Sequence, residues 1–309
     1  MSVQFHEQFI RFTTDSVGLE RTFRLLQATV QIIASYPAVL GLLLSLLGFV
    51  TGSSSAAVSS HAQTNVILLA LRQRLGLARR FFRLFRFLDA FHAAHKLYAG
   101  LSATGAAPAP AEAWLDVLGR TFNGMYLLLE ASTIVDALQI EGLRVWAPDW
   151  ERAVTVEAQR FWLLALVCGV LAGLLRMVKV LAYTPVPATG DGFAHGAKEG
   201  KDDGGEKDKA GPGDGDEGEF DMQKEQQRLR AIVKERRKGR VLWRREVRAK
   251  IRGLGRAVTA NALDIVLPGS VVGWVQADPG TVGLAMFVTS ILTGMDAWER
   301  CGREVAASK

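Results

Sequence analysis

The chain has 309 residues, of which 49% are hydrophobic and 22% charged, and a formal net charge of +6. A mean hydropathy of +0.14 is high for a chain that also carries a polar low-complexity stretch, so the apolar residues must be concentrated in segments. The basic balance points to anionic partners, either nucleic acid or acidic lipid headgroups, while two distant cysteines, Cys168 and Cys301, argue against a disulfide framework or a cysteine-ligated zinc site.

The N-terminus has no basic stretch leading into a short apolar run, so no secretory signal peptide is expected. Leu25 to Leu71 contains no Asp, Glu, Lys or Arg, and Val30 to Val50 within it approaches a membrane span of about 20 residues. Pro37 interrupts that run, so a buried or re-entrant helix fits as well as a straight crossing, with a flexible loop expected at Thr51 to Ser60.

Leu71 to Leu88 is the segment richest in pattern. On a helical wheel at about 100° per residue, Arg72, Arg79, Arg80, Arg83 and Arg86 collect within about 120° of the circumference. The opposite side holds Leu71, Leu75, Leu77, Ala78, Phe81, Phe82, Leu84, Phe85 and Leu88, leaving Arg74 and Phe87 out of sector. Such a helix can lie in a membrane interface, with arginines among phosphates and aromatic bulk in the acyl boundary. A surface helix of a soluble bundle is the competing reading. The polar positions favour the membrane, because soluble surface helices mix both signs and here Asp89 arrives only after the pattern ends. With no nucleic-acid module present, nucleic-acid binding is disfavoured.

Gly100 to Pro110, rich in Ala, Gly and Pro, reads as a mobile connection. Trp114 then opens a helix with Leu115, Leu118, Phe122, Met125 and Leu129 three or four apart. Phe161 to Tyr183 is the best transmembrane candidate, with no charge before Arg176 and Lys179, whose long side chains can snorkel. Gly169 and Gly173 form a GxxxG step within it, a candidate self-association face.

Ala188 to Asp221 holds eleven acids, four lysines and ten glycines, too little apolar surface to offset the entropy of ordering, so disorder is expected. Lys224 to Arg256 carries fourteen Lys and Arg against three Glu. With Trp243, Val247, Ile251 and Leu254 at helical spacing, it reads as a basic amphipathic helix. Ala257 to Met295 is apolar but broken by Asp264, Pro268 and the Ala277 to Gly280 turn, which suits a helical hairpin dipping into the membrane. No long alternating run suggests a sheet.

Sites for chemistry are sparse. His92 and His95 share a helix face without a third ligand, so they read as surface histidines. Asp214, Asp216 and Glu225 echo a calcium loop, but Glu219 stands where that loop needs glycine and Asp221 where it needs an apolar residue. The ending Ser308-Lys309 lacks the final leucine of a peroxisomal matrix signal. No catalytic group, cofactor or metal site is expected, and the protein is not read as an enzyme.

Three parts of the chain resemble the peroxin-eleven family, peroxisomal membrane proteins that elongate and proliferate the organelle. Phe9 to Thr14 followed by Leu19-Glu-Arg-Thr-Phe-Arg-Leu-Leu-Gln27 is similar to the family's opening helix. Leu77 to Leu88 is similar to its Arg-rich stretch ending in Phe-Arg-Phe-Leu. Asp264-Ile-Val-Leu-Pro268, Gly280-Thr-Val-Gly-Leu284, Ser290-Ile-Leu and Asp296-Ala-Trp298 follow its C-terminal order. The resemblance implies a peroxisomal membrane location, self-association, and cooperation with a dynamin-related fission GTPase and its membrane adaptor.

The expected fold is therefore all-α, a membrane-associated helical bundle with one to three short transmembrane or re-entrant segments. It divides into residues 1–183, a loop at 188–221, and a basic helix with membrane hairpin at 222–309. The expected function is to bind, curve and elongate the peroxisomal membrane. Arg72, Arg79, Arg80, Arg83 and Arg86 would bind anionic lipid headgroups, Leu75, Phe81, Phe82, Phe85 and Leu88 would insert, and Gly169 and Gly173 would support homo-oligomers. A metabolite pore, suggested by charges such as Asp264, and a docking scaffold using the basic helix are the alternatives. Positive-inside reasoning places the basic helix on the cytosolic side, where the arginine-faced helix should also lie; a single crossing by Phe161 to Tyr183 would separate them.

Overall fold

Pro37 stops the first long helix, because its ring removes a backbone donor and crowds the preceding residue out of helical geometry. The computed structural model describes residues 2–51, 57–103, 110–183 and 217–308. In it α1 (Ser2–Thr14) and α2 (Ser16–Ser35) precede that stop and α3 (Pro37–Thr51) follows it. Asp15 caps α2, its carboxylate accepting from the Gly18 amide at 3.2 Å. Between Ser16–Ser35 and Pro37–Leu43 the axis turns by 103°.

The remaining elements among the described residues are helices too: α4 (Ala57–Arg83), α5 (Arg86–Ala103), α6 (Ala111–Ser132), a single turn α7 (Ile134–Ala137), α8 (Pro148–Tyr183), α9 (Glu217–Asp264), α10 (Val266–Val272) and α11 (Pro279–Ala307). No strand occurs among the described residues, as expected. Of the expected loop at Thr51 to Ser60, Thr51 and residues from Ala57 are helical and 52–56 lie outside the described residues. Likewise Gly100 to Ala103 extend α5, and the acidic stretch lies outside the described residues up to position 216, with α9 starting at Glu217.

α8 and α11 are long and apolar enough to cross a membrane, with mean hydropathy 2.2 and 1.3 over their best windows, and the bent α2–α3 pair can supply a third passage. Their side-chain directions match a lipid solvent. On α11 the exposed residues Leu284, Val288, Ile291 and Met295 run down one side, while Gly283, Met286, Thr289 and Ser290 are buried. The buried stripe of α2 is largely polar, Glu20, Arg24, Ala28 and Gln31. Polar residues inside and leucines outside is the arrangement favoured when lipid, not water, surrounds a bundle.

The chain forms two units, residues 1–177 with 254–309, and residues 178–253. Within the first unit α11 returns to lie along α2. Two glycines of α11 let the helices come this close. A Cβ on Gly280 would sit 2.6 Å from the Tyr36 ring, and one on Gly283 would sit 3.1 Å from Ile32. One core cluster, Ala28, Leu267, Ala285 and Met286, forms there, a second gathers Tyr126, Leu127 and Ala158, and Trp162 packs on both.

The GxxxG step of α8 serves the same purpose within the chain. A Cβ on Gly169 would lie 2.7 Å from Asn261 Nδ2, and one on Gly173 would lie 2.4 Å from Val258 Cγ2. Both glycines are therefore occupied by α9 of the same chain, a role other than the self-association face expected of them. Val258 is β-branched and has few rotamers to escape into. Gly173→Val should overpack this crossing and lower stability by about 1–3 kcal/mol, read as a lower thermal midpoint, with oligomer size by crosslinking unchanged. Loss of oligomers at unchanged stability would return these glycines to an intermolecular role.

Candidate membrane interface

The arginine-faced segment is not one helix. α4 ends at Arg83 and α5 begins at Arg86, with a turn in which the Leu84 amide donates to the Phe81 carbonyl at 3.3 Å and the Leu88 amide to that of Phe85 at 3.1 Å. Before the break, Arg79 and Arg83, one turn apart on α4, reach two different carboxylates.

Arg79 is 8% exposed. Its Nη2 stands 3.2 Å from Glu20 Oε1 and its Nη1 donates to Gln27 Oε1 at 2.6 Å, both on α2. Burial, with Arg83 nearby, pulls its guanidinium down to about 10 against the opposing pull of Glu20, so it stays charged at neutral pH. One turn on, Arg83 Nη2 lies 2.7 Å from Glu130 Oε1 on α6, and its guanidinium carbon lies 5.8 Å above the Tyr126 ring. Tyr126 donates its hydroxyl to the same oxygen at 3.0 Å. Burial, opposed by Arg83 and reinforced by Glu130, pushes the Tyr126 phenol up to about 12. Arg80 Nε is 3.9 Å from Glu130 Oε1.

Arg79 and Arg83 are therefore held inside the bundle by carboxylates, a role other than the headgroup contact expected of them. Arg80 is shared between Glu130 and the exterior, and Arg72 and Arg86 are half-buried without a carboxylate at ion-pair distance among the described residues. The apolar set also divides. Phe81, Phe85 and Leu88 are 49%, 69% and 57% exposed. Phe82 instead packs on Phe23 of α2, ring centroids 5.4 Å apart, and Leu75 is half-buried. Val66, Ile67, Leu69 and Leu71 extend the outward apolar surface up α4.

A second polar contact ties the C-terminal region to α2. Arg24 donates to the Asp264 carboxylate and, at 3.1 Å, to the Thr289 hydroxyl, all three buried. Asp264, which suggested a conduction path, is thus neutralised within the bundle. Arg176, expected to snorkel, instead pairs with Asp116 of α6. The Gln31 amide donates to the Pro279 carbonyl at 2.6 Å, and Gln8 donates to the Trp298 carbonyl at 2.8 Å. The Trp298 ring meets Phe5 and Phe12 of α1 at 5.4 and 5.6 Å.

Sequence reasoning did not anticipate Glu20, Gln27 and Glu130 as partners of the arginines. A signal for the first two exists: Glu20, Arg24, Gln27 and Gln31 recur at helical spacing along α2. His92 and His95 are exposed, and no group of three metal-ligating side chains occurs among the described residues. Asp214 and Asp216 lie outside the described residues.

Removing one partner of a buried pair strands the other. Arg24→Met should destabilise the chain by about 3–5 kcal/mol, and the double variant Arg24→Met/Asp264→Leu should recover most of that loss in thermal unfolding. Independently, an alkaline titration followed at the phenolate absorbance should contain a late step near pH 12 from Tyr126. Tyr126→Phe should remove that step alone.

A family profile for Peroxisomal biogenesis factor 11 (PEX11) matches residues 46–298, most of the chain. No curated protein and no solved structure matches. The matched region contains the Arg79 and Arg83 anchors, Asp264, the Gly280–Leu284 stretch and Trp298, each of which has a defined packing role in the bundle. The chain belongs to the peroxisomal biogenesis factor 11 family and is a peroxisomal membrane protein with a role in peroxisome biogenesis and proliferation.

Proposed function

We propose that the protein curves and elongates the peroxisomal membrane by wedging the apolar surface at the α4–α5 turn into one leaflet, preparing the organelle for fission. The observation that carries this reading is the opposed direction of neighbouring side chains. Arg79 and Arg83 turn inward to Glu20 and Glu130, while Phe81, Phe85 and Leu88 turn outward.

Outward aromatic and leucine side chains at a helix turn enter the acyl boundary to a depth of about 5–10 Å, where they expand one leaflet and favour curvature. Arg72 and Arg86 flank that surface and can meet anionic headgroups, with their stems along the apolar region. The ion pairs behind the wedge fix its direction, so its apolar residues cannot turn back into the bundle. Self-association would concentrate the wedges along a tubule. A dynamin-related GTPase with its membrane adaptor is the proposed partner that severs it.

The test uses the full-length chain reconstituted into anionic liposomes, imaged by electron microscopy. Wild type should draw the vesicles into tubules. The triple variant Phe81→Ser/Phe85→Ser/Leu88→Ser, which changes only exposed positions, should unfold at the same temperature and leave vesicles round. Equal tubulation by wild type and variant would rule out the wedge.

A further inference from the structure

The positive charge of α9 is arranged more narrowly than its composition requires. Arg230, Lys234, Arg237, Arg244 and Arg248 succeed one another at helical spacing, with Lys238, Arg245 and Arg252 in the adjoining row, seven apart. At about 100° per residue, these eight side chains fall within about 120° of the circumference, and positions 235 and 246, the acids of this stretch, fall outside it. All eight are exposed, and none has a carboxylate at ion-pair distance among the described residues. Glu246 pairs instead with Lys250, 2.8 Å away on another side of the helix.

A merely solvated face mixes signs, because like charges three or four residues apart repel. Here one sign covers a strip that runs from Arg230 to Arg252, roughly 33 Å at helical rise. A strip this long and broad does not enclose a single anion. It fits an extended anionic plane, and the protein resides on a membrane that presents one. No aromatic side chain lies on this face for stacking bases, since Trp243 falls outside the sector, so single-stranded nucleic acid is a poorer match.

We propose that the basic face of α9 docks flat on the phosphate surface of an anionic bilayer, as a second lipid contact that works by charge and without insertion. It does not depend on the wedge at the α4–α5 turn. The two differ in chemistry: the wedge buries apolar side chains, whereas the α9 strip holds headgroups electrostatically and so should release them in salt.

Val241 lies at the centre of the strip and is exposed, and the native Cys168 and Cys301 are buried. The full-length Val241→Cys chain, carrying an environment-sensitive fluorophore there, is reconstituted into nanodiscs of phosphatidylcholine alone or with phosphatidylserine. Emission should rise on the order of two-fold in the anionic discs, as for a probe brought to an interface, and fall back at about 0.5 M salt, where the Debye length is ~4 Å. On that background Arg237→Gln/Arg244→Gln should remove most of the rise. Arg240→Gln/Lys250→Gln, equal in charge but off the strip, should keep it, and so should the wedge triple variant. Equal emission in both lipids, or equal loss in the two double variants, would overturn the proposal. So would a rise produced in neutral discs by an acidic polypeptide but not by anionic lipid, which would assign the strip to a protein partner.

Discussion

Two guanidinium groups, Arg24 and Arg79, hold the bundle in register by reaching from one helix to the polar side chains of another. Arg79 brings α4 to Glu20 and Gln27 of α2, and Arg24 takes α2 to Asp264 and Thr289 in the C-terminal region. Both lie on or against the same stripe of α2. Apolar contacts alone give little orientation in a lipid solvent, since a leucine facing lipid is nearly as well placed as one facing a helix. A buried ion pair is different, because turning it outward exposes charge to hydrocarbon. The polar stripe therefore decides which faces of α2, α4 and α11 point inward, and the outward apolar surfaces follow from that choice.

The C-terminal motif gains a physical account from this arrangement. Asp264 is the acceptor for Arg24 at the end of α9. Gly280 and Gly283 are small because Tyr36 and Ile32 of the facing helix occupy the space a Cβ would need. Trp298 anchors α1 through two aromatic contacts and its carbonyl, while neighbouring Asp296 lies 2.5 Å from Arg256. Asp264, Gly280, Gly283, Asp296 and Trp298 each close a contact between segments far apart in sequence, so these positions of the motif have a packing role.

The helical class, the stop at Pro37, the apolar crossing in α8 and the basic helix were legible because each depends on local chemistry: ring constraint, hydropathy and periodicity. The orientation of the arginine helix was not. A wheel shows that Arg79 and Phe81 point apart, but which of them points at the rest of the protein depends on an acid 59 residues away. The absence of acids from the segment itself favoured headgroups as the partners of its arginines; Glu20 and Glu130 arrive from α2 and α6 instead. Gly169 and Gly173 carry a related ambiguity, since a small-residue step says that a helix comes close and not whose helix it is. On α6 the wheel chose the face of Leu115, Leu118 and Phe122, whereas Val117, Gly124 and Leu127 are the buried ones.

The location of these acids also bears on how the arginine segment meets a membrane. Taken out of the chain, residues around Leu71 to Leu88 lose Glu20 and Glu130, and all five arginines become free to bind phosphate. Within the chain, Arg79 and Arg83 can reach headgroups only by breaking buried pairs, at a cost of up to about 3–5 kcal/mol each, which would leave Glu20 with Arg21 at 3.4 Å and Glu130 with Arg80 at 3.9 Å. A surface cation attracted to anionic lipid gains about 1 kcal/mol. The exchange is unfavourable unless Arg21 and Arg80, already beside Glu20 and Glu130, take over the pairing. Lipid binding by the isolated segment therefore overstates what its arginines contribute in the folded protein. In the fold, the residues left facing outward for the proposed contact with lipid are Phe81, Phe85 and Leu88, with Arg72 and Arg86 at their margins.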